Sequence, residues 1–229
     1  MLSNTAHISR IAPHAGAPPP HQLLLAEFIH RSANDFAVAC AEVNIARHAA
    51  TREAMRDRLG TVVDRLFALA SIQRLLQAPS DAVMDLGSKL CELAQHHAHA
   101  RFAEQGVFVR VSSIDISVDS LRGWALLMIV SELLTNAARH AFDAPGGVVD
   151  VVLARIGGEI RCAVSDDGVG MSPARASTGA GTAIVAALAR EAGIQCGPIA
   201  SPAGTRFELR MPAESPKSAR EDLTGFYPT

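Results

Sequence analysis

The stretch from His21 to Ala78 constrains the fold most, because it contains no proline and Gly60 is its only glycine. Both residue types interrupt helices, so their near absence favours long helices. Between two apolar segments, Thr51 can cap a second helix, with Glu53 well placed in its first turn. Within each segment, apolar or small residues recur at steps of three and four, as in coiled coils, at Leu25, Ile29, Ser32, Phe36, Ala39 and Val43 and then at Leu59, Val62, Leu66, Leu69, Ile72 and Leu76. The pattern predicts a helical hairpin.

The predicted hairpin occupies residues 21–79 and has two apolar seams. One hairpin cannot bury both seams by itself. Pairing with a second copy into a four-helix bundle would cover them, so we expect a homodimer through these residues. The alternative is a monomer in which the hairpin packs on the downstream domain.

Residues 80–212 show a mixed pattern after Pro79 closes the hairpin. The expected elements are a helix from Asp85 to about Phe102, a strand at 107–111, a helix at 120–142, strands at 148–156 and 159–165, a helix at 180–192, and a hairpin pairing 195–200 with 205–211. This order predicts a two-layer α/β sandwich of antiparallel strands under helices, and an α+β chain overall. Residues 1–20 and 213–229 have the composition of disordered tails.

Charge and hydropathy exclude several classes of function. The net charge is −2 and the isoelectric point is near 6.5, without the clustered Lys and Arg of a nucleic-acid-binding protein. The four cysteines lie far apart and form no CxxC pair, which is typical of reduced thiols in a cytoplasmic protein. No window approaches the roughly 20 apolar residues of a membrane span, so we expect no membrane insertion.

Three motifs in the downstream domain carry chemistry. The helix segment SELLTNAARHAF places Glu132, Asn136 and His140 four residues apart, so they share one helical face. Taken alone, this stripe is as compatible with a solvent-facing surface as with a site. An acid, an amide and an imidazole along an otherwise apolar helix nevertheless need polar partners if they are buried.

The second motif, DDGVG, follows the apolar strand CAVS. Glycines there allow the backbone to approach a ligand closely, and the Asp166 carboxylate can accept a hydrogen bond from an exocyclic amine such as that of adenine. The third motif, STGAGT, runs into a helix N-terminus, which presents free N–H groups suited to phosphate. Either motif alone could be an ordinary turn or helix cap.

In this order, ExxxNAxxH, DxGxG, GxG and a closing Gly204-Thr205 resemble the nucleotide-binding motifs of the GHKL ATPase superfamily, which contains DNA gyrase, a heat-shock chaperone, histidine kinases and the MutL mismatch-repair protein. The resemblance covers roughly residues 85–211 and implies a Bergerat-type ATP-binding fold with ATP and Mg²⁺ as ligands. It implies that Asp166 binds the adenine amine with support from the Thr205 hydroxyl, and that Gly168 and Gly170 shape the adenine pocket.

The same resemblance assigns the phosphate side of the site. Asn136 would bind Mg²⁺, and Glu132 would order a metal-bound water or act as a polarising base. Gly179 and Gly181 would wrap the phosphates. Two residues with less defined roles would lie nearby, Arg139 and His140.

The upstream helix AEFIHRSANDFAVACAEV is similar to the HRxxN dimerisation segment of HisKA_2/HWE-like histidine kinases. This similarity makes His30 the phosphoacceptor, with Arg31 and Asn34 at the matching motif positions. Glu27 and Asn34 share the face of His30 and could orient the imidazole or take its proton. The expected function is a cytoplasmic histidine kinase that autophosphorylates from Mg-ATP and passes the phosphoryl group to an aspartate on a response-regulator receiver domain.

Departures from the pattern leave two rival functions. The third motif, which corresponds to the second glycine box of the superfamily, reads GAGT where GLGL-like strings are usual. In the upstream helix, Asp35 stands where Asn is common. One rival is a histidine phosphotransferase, a relay adaptor with a degenerate ATPase-like domain; the other is a serine kinase of the anti-sigma type. No sensory domain is recognised, so input would arrive from a sensor in trans or the chain is a truncated relative. The cluster His96, His97 and His99 is expected to be a hydrated helix face, because adjacent histidines point to different sides of a helix.

Overall fold

The first two elements of the structure are long helices, α1 (Pro20–Arg47) and α2 (Arg52–Leu75). The computed structural model describes residues 20–170 and 180–213, and the side chains within 32–170 and 185–213. The break between α1 and α2 falls where the sequence predicts it, because Thr51 caps the start of α2. The Thr51 Oγ1 accepts a hydrogen bond of 3.1 Å from the Ala54 N–H.

Polar contacts join the two helices along their length. Arg65 of α2 forms an ion pair with Glu42 of α1, and the Gln73 side chain donates to the Ser32 hydroxyl at 3.3 Å. Between them, Asp35 of α1 accepts both arms of the Arg101 guanidinium at 3.1 Å each. Arg101 belongs to the downstream domain, so α1 is held to the rest of the molecule as well as to α2.

The apolar residues of the hairpin are divided between two environments. Ala68, Leu69 and Ile72 are buried in the same core as the downstream helices, which is the packing expected of the monomer alternative. By contrast, Phe36 is 64% exposed and Phe67 is 67% exposed. Large apolar area therefore remains on the outside of the hairpin, and the dimer stays a prediction.

The described residues of the downstream domain form three α-helices and seven strands. A short π-helical segment, Ala98–Phe102, and a single 3₁₀ turn, Ala103–Gln105, follow its first helix. The helices are α3 (Leu86–His97), α4 (Ser120–His140) and α5 (Ala180–Glu191), and the strands are β1 (Val83–Asp85), β2 (Val107–Ser112), β3 (Ser117–Asp119), β4 (Gly147–Ile156), β5 (Glu159–Asp166), β6 (Gln195–Pro198) and β7 (Arg206–Pro212).

The main sheet has the order β2-β4-β5-β7-β6. The sequence-based expectation of antiparallel strands is wrong at one edge, because β2 pairs with β4 in parallel while the other neighbours are antiparallel. The connection between β2 and β4 contains α4, and such a crossover returns the chain to the sheet in the same direction. A separate antiparallel pair, β1 with β3, was not foreseen.

Helix α4 lies at the centre of the core. Thirteen of its residues are buried, and the side chain of Asp119 caps its start by accepting from the Leu121 and Arg122 N–H groups. Against it pack the inward residues of the sheet, which alternate along each strand, as at Val149, Val151 and Leu153. The polar residues of α4 therefore begin in the core and end at the surface.

The helix expected from Asp85 to Phe102 changes character halfway. Asp85 caps α3 as predicted, bonding the Ser88 N–H at 3.3 Å, but regular helix ends at His97 and a π-helical turn follows. Such a turn inserts an extra residue into the helical repeat, which local sequence pattern does not reveal.

Candidate active site

Asp166 is a half-buried residue at the end of β5. Its carboxylate accepts hydrogen bonds from two backbone N–H groups. Its Oδ1 accepts from the Gly168 N–H and from the Thr205 N–H, both at 3.1 Å. Burial raises the pKa of Asp166, and the hydrogen bonds from Thr205 and Gly168 oppose this rise. The Thr205 hydroxyl also bonds the carboxyl group. Both hydrogen bonds from backbone N–H groups fall on Oδ1, so the carboxylate has a fixed orientation.

Two glycines make this arrangement possible by their lack of a side chain. A Cβ at Gly204, which has φ of +64°, would lie 1.9 Å from the Asp166 carbonyl oxygen. A Cβ at Gly168 would lie 2.1 Å from the Ala141 carbonyl oxygen. Neither distance is sterically possible, so both positions require glycine for the backbones to come this close.

The loop after Asp166 is pinned between two elements. The Val169 N–H donates to the Ala141 carbonyl at 2.8 Å, immediately after α4. Asp167 exchanges hydrogen bonds with Val148, its N–H donating at 3.2 Å and its Oδ1 accepting at 2.8 Å. The roles of Ala141 and Asp167 were missed; a second acid after a strand is only a faint signal, and a carbonyl acceptor leaves none.

The polar stripe of α4 runs from the interior to the surface. Glu132 is 7% exposed, Asn136 is half-buried, and Arg139 and His140 are exposed. Asn136 precedes Ala141 by five residues, or about 7.5 Å along the helix. The amide therefore lies one to two turns from the point at which the Asp166 loop meets α4. A carboxylate and an amide are oxygen donors of the kind that Mg²⁺ takes alongside water and phosphate, so this donor set fits that ion.

The remaining predicted positions are placed only in part. Gly181 lies in the first turn of α5, whereas Gly179 and the preceding residues from 171 lie outside the described residues. His30 and Arg31 lie on α1, with side chains outside the described set, and Asn34 is exposed on the same helix. Helix α1 packs against α5, the helix that begins at the second glycine box.

The histidine cluster differs from the sequence-based expectation. His97 is fully buried and its Nε2 lies 3.0 Å from the Ser131 hydroxyl of α4, next to Glu132. The prediction of a hydrated face is wrong for this histidine. His99 is exposed and bonds the Gln95 carbonyl at 2.9 Å. Within the described residues, no three metal-binding side chains cluster, and no helix there has the length and hydropathy to span a membrane.

Comparison with known proteins agrees with this geometry. Residues 124–215 match the family described as histidine kinase-, DNA gyrase B- and HSP90-like ATPases. The matched segment contains the α4 stripe, the Asp166 loop and Thr205 together, and the match to an ATPase domain implies ATP binding.

Relatives of the chain are histidine kinases. It is 33% identical over 154 residues to blue-light-activated histidine kinase 2 of Erythrobacter litoralis, covering 64% of this chain and 44% of that protein. It is 26% identical over 148 residues to the sensor histidine kinase PdtaS of Mycolicibacterium smegmatis, covering 63% and 30%. The chain therefore spans less than half the length of these relatives.

Solved structures show the same fold over a wider range. The histidine kinase domain of the Erythrobacter litoralis blue-light-activated kinase superposes with a TM-score of 0.54 at 23% identity, covering 77% of this chain and 96% of that domain. The shared fold thus extends beyond residues 124–215. None of these comparisons distinguishes the HisKA_2/HWE type from other histidine kinases.

Proposed function

We propose that this chain is an ATP-dependent protein histidine kinase that phosphorylates His30 and passes the phosphoryl group to an aspartate on a response-regulator receiver domain. The observation that carries the proposal is the Asp166 carboxylate, oriented by two backbone N–H groups at the edge of a glycine-lined turn. Such a carboxylate is suited to the exocyclic amine of adenine. The histidine kinase relatives support the choice of reaction.

On the nucleotide side, each residue has a defined task. Asp166 would accept the adenine amine, and Gly168 and Gly170 would shape the adenine pocket by letting the loop backbone lie against Ala141 and Gly204. Asn136 would hold Mg²⁺ directly and Glu132 would hold it through water. Bound Mg²⁺ neutralises charge on the phosphates. Gly179 and Gly181 would direct backbone N–H groups at the phosphate oxygens.

On the acceptor side, the neutral imidazole of His30 would attack the γ-phosphorus in line with the departing oxygen. One nitrogen–phosphorus bond forms, the bond to the β,γ-bridging oxygen breaks, ADP leaves, and the imidazole loses its ring proton. Arg31 and Asn34 would orient the ring from the same helix. Catalysis would rest mainly on positioning and charge stabilisation.

The hairpin supports a homodimer as part of the same proposal. Phe36 and Val43 lie seven residues apart on one side of α1, and Val63 and Phe67 lie four apart on one side of α2, all exposed. An apolar surface of this kind marks an interaction site. A second copy of the hairpin would cover it in a four-helix bundle.

Incubation with ATP labelled in the γ-phosphate tests the proposed reaction. We expect label that is lost in acid and kept in base, as for a phosphohistidine, and its absence in His30→Gln and in Asn136→Ala. The matched control is nucleotide binding by calorimetry, which His30→Gln should retain and Asn136→Ala should lose in the presence of Mg²⁺.

Three outcomes would contradict the proposal. Label that persists in His30→Gln would place the acceptor elsewhere. Acid-stable label on a partner protein would favour a serine kinase. Label accepted only from a phosphorylated receiver domain, with no nucleotide binding, would favour the relay adaptor.

A further inference from the structure

A cavity of about 610 Å³ lies where the hairpin meets the ATPase domain, away from the Asp166 loop. Its walls come from the end of α2, the connecting segment, β1, one face of α3 and the beginning of α4. Its volume is in the usual range for small-molecule sites. The proposed reaction uses none of its lining residues.

The cavity contains a buried polar group that the fold does not satisfy. Ser120 is 2% exposed, and its hydroxyl has no hydrogen-bond partner among the described residues. The Ser120 backbone is engaged, since its N–H donates to the Ala82 carbonyl at 3.0 Å. A buried hydroxyl without a partner is costly, so its retention on a cavity wall points to a ligand that bonds it.

Most charges on the walls are already engaged within the protein. Asp85 caps α3 through Ser88, and the bond from the Ser88 hydroxyl is 2.6 Å. Lys89 pairs with Glu92 at 3.0 Å. Asp85, Lys89 and Glu92 together carry one net negative charge, but each of these groups is already bonded within the protein.

Two opposite charges remain on the walls. Arg74 donates to the neutral Ser71 hydroxyl at 2.8 Å, and Asp81 is exposed with no ion pair recorded among the described residues. His96 adds a third polar group from α3. The apolar part of the lining is supplied by Leu75, Met84 and Leu127. The cavity thus offers one cation, one anion, a free hydroxyl and an apolar surface.

We propose that this cavity binds a small zwitterion of the amino-acid class with an apolar side chain. Its carboxylate would pair with Arg74, its ammonium group with Asp81, and its side chain would contact Met84 and Leu127, with the Ser120 hydroxyl bonded to a polar atom of the ligand. Since the walls belong to both the hairpin and the downstream domain, a bound ligand would favour this relative arrangement of the two. Any effect on kinase activity rests on the proposed function, but binding itself does not.

Binding is tested on the full chain by NMR of ¹³C-methyl methionine, with the Met84 signal assigned through Met84→Leu. We expect L-leucine, L-methionine or L-phenylalanine to shift the Met84 methyl signal at millimolar concentration. Isoamylamine and isocaproate, which each lack one charge of leucine, should bind about tenfold more weakly or worse, the loss of one charge-assisted bond.

Variants locate the site and separate it from the nucleotide pocket. Arg74→Gln and Asp81→Asn should each weaken binding about tenfold while leaving nucleotide affinity unchanged. Ser120→Ala should raise the melting temperature of the ligand-free protein, because it removes an unsatisfied hydroxyl, and should reduce the amino-acid-induced shift.

The proposal is overturned if none of the three amino acids moves the Met84 signal, or if the shift is the same in Arg74→Gln and Asp81→Asn. Failure of ATP labelling with intact amino-acid binding would contradict the kinase proposal alone. Intact labelling without amino-acid binding would contradict only the proposal for this cavity.

Discussion

Asp166 combines a structural and a recognition role at the level of a single residue. Its Oδ1 accepts two backbone N–H groups, which an asparagine carbonyl oxygen could also accept. The second oxygen of the carboxylate would become an NH₂ group in asparagine, and two donors would then face each other at adenine. The substitution therefore separates folding from recognition.

We predict that Asp166→Asn folds normally and loses adenine-nucleotide affinity by at least about tenfold, or about 1.4 kcal/mol. Calorimetric titration with ADP and Mg²⁺ measures the affinity, and circular dichroism checks the fold. Unchanged affinity in the folded variant would remove Asp166 from the adenine site.

The raised pKa of Asp166 predicts a pH dependence of stability. A carboxyl group whose pKa is higher in the folded than in the unfolded chain binds more protons when folded, so it lowers stability as pH rises from its ordinary value of 3.8 through the folded value. Urea unfolding at a series of pH values should show the wild type losing stability relative to Asp166→Asn across this window, with a constant difference above it. A difference that changes in the opposite direction would mean that the hydrogen bonds outweigh burial.

Gly204 offers a second test at the residue scale. In Gly204→Ala, strain at positive φ and the contact with the Asp166 carbonyl should lower the free energy of unfolding by on the order of 2 kcal/mol or more. The matched control is Gly158→Ala, whose added Cβ meets nothing within 4 Å. Thermal melts of the two variants should differ clearly; equal melting temperatures would contradict the close approach.

At the scale of elements, α1 is connected to the downstream domain through the Asp35–Arg101 pair. The two side chains are only 16% and 13% exposed, and the bidentate geometry is the favourable one for Arg and a carboxylate. Asp35 follows His30 by five residues on the same helix. The ion pair thus constrains the helix that carries the proposed phosphoacceptor.

A double-mutant cycle with Asp35→Asn and Arg101→Gln should give a coupling free energy of about 1–3 kcal/mol in urea unfolding. The control pair is Arg110–Asp150, which joins β2 and β4 on an exposed face with 67% and 36% exposure and should couple clearly more weakly, because solvent screens exposed charges. Equal coupling in the two pairs would mean that the Asp35 contact does not hold α1.

For the whole molecule, the main feature is the exposed apolar outer face of the hairpin. Part of α2 packs on the core through Leu69 and Ile72, which holds the hairpin to its own ATPase domain. The aromatic residues Phe36 and Phe67 remain outside. A hairpin dimer would therefore leave the α2 contacts of each chain intact.

We predict that the chain is a dimer at micromolar concentration and that Phe67→Glu shifts it to monomer, because a charge would be buried at the interface. Light scattering after size-exclusion chromatography measures the mass. Phe108→Glu is the control, since Phe108 is 72% exposed on the edge strand β2, and this variant should remain dimeric. A monomeric wild type would refute the homodimer.

The sequence by itself determined the elements whose causes are local. Proline and glycine usage predicted the α1–α2 hairpin, Thr51 and Asp85 predicted two helix starts, and the Gly157-Gly158 turn predicted the strands β4 and β5 on either side of it. The order of the three polar motifs predicted an ATPase domain, which the family match at residues 124–215 confirms. These features depend on neighbours along the chain, so they can be read from it.

Tertiary structure alone decided the features that depend on residues distant in sequence. The parallel pairing of β2 with β4, the burial of His97 against Ser131 and the ion pair between Asp35 and Arg101 each join segments that no local pattern relates. The same holds for Ala141, whose carbonyl anchors the loop after Asp166. Local propensity fixes where helices and strands form, whereas the free energy of packing the whole core fixes which of their residues meet.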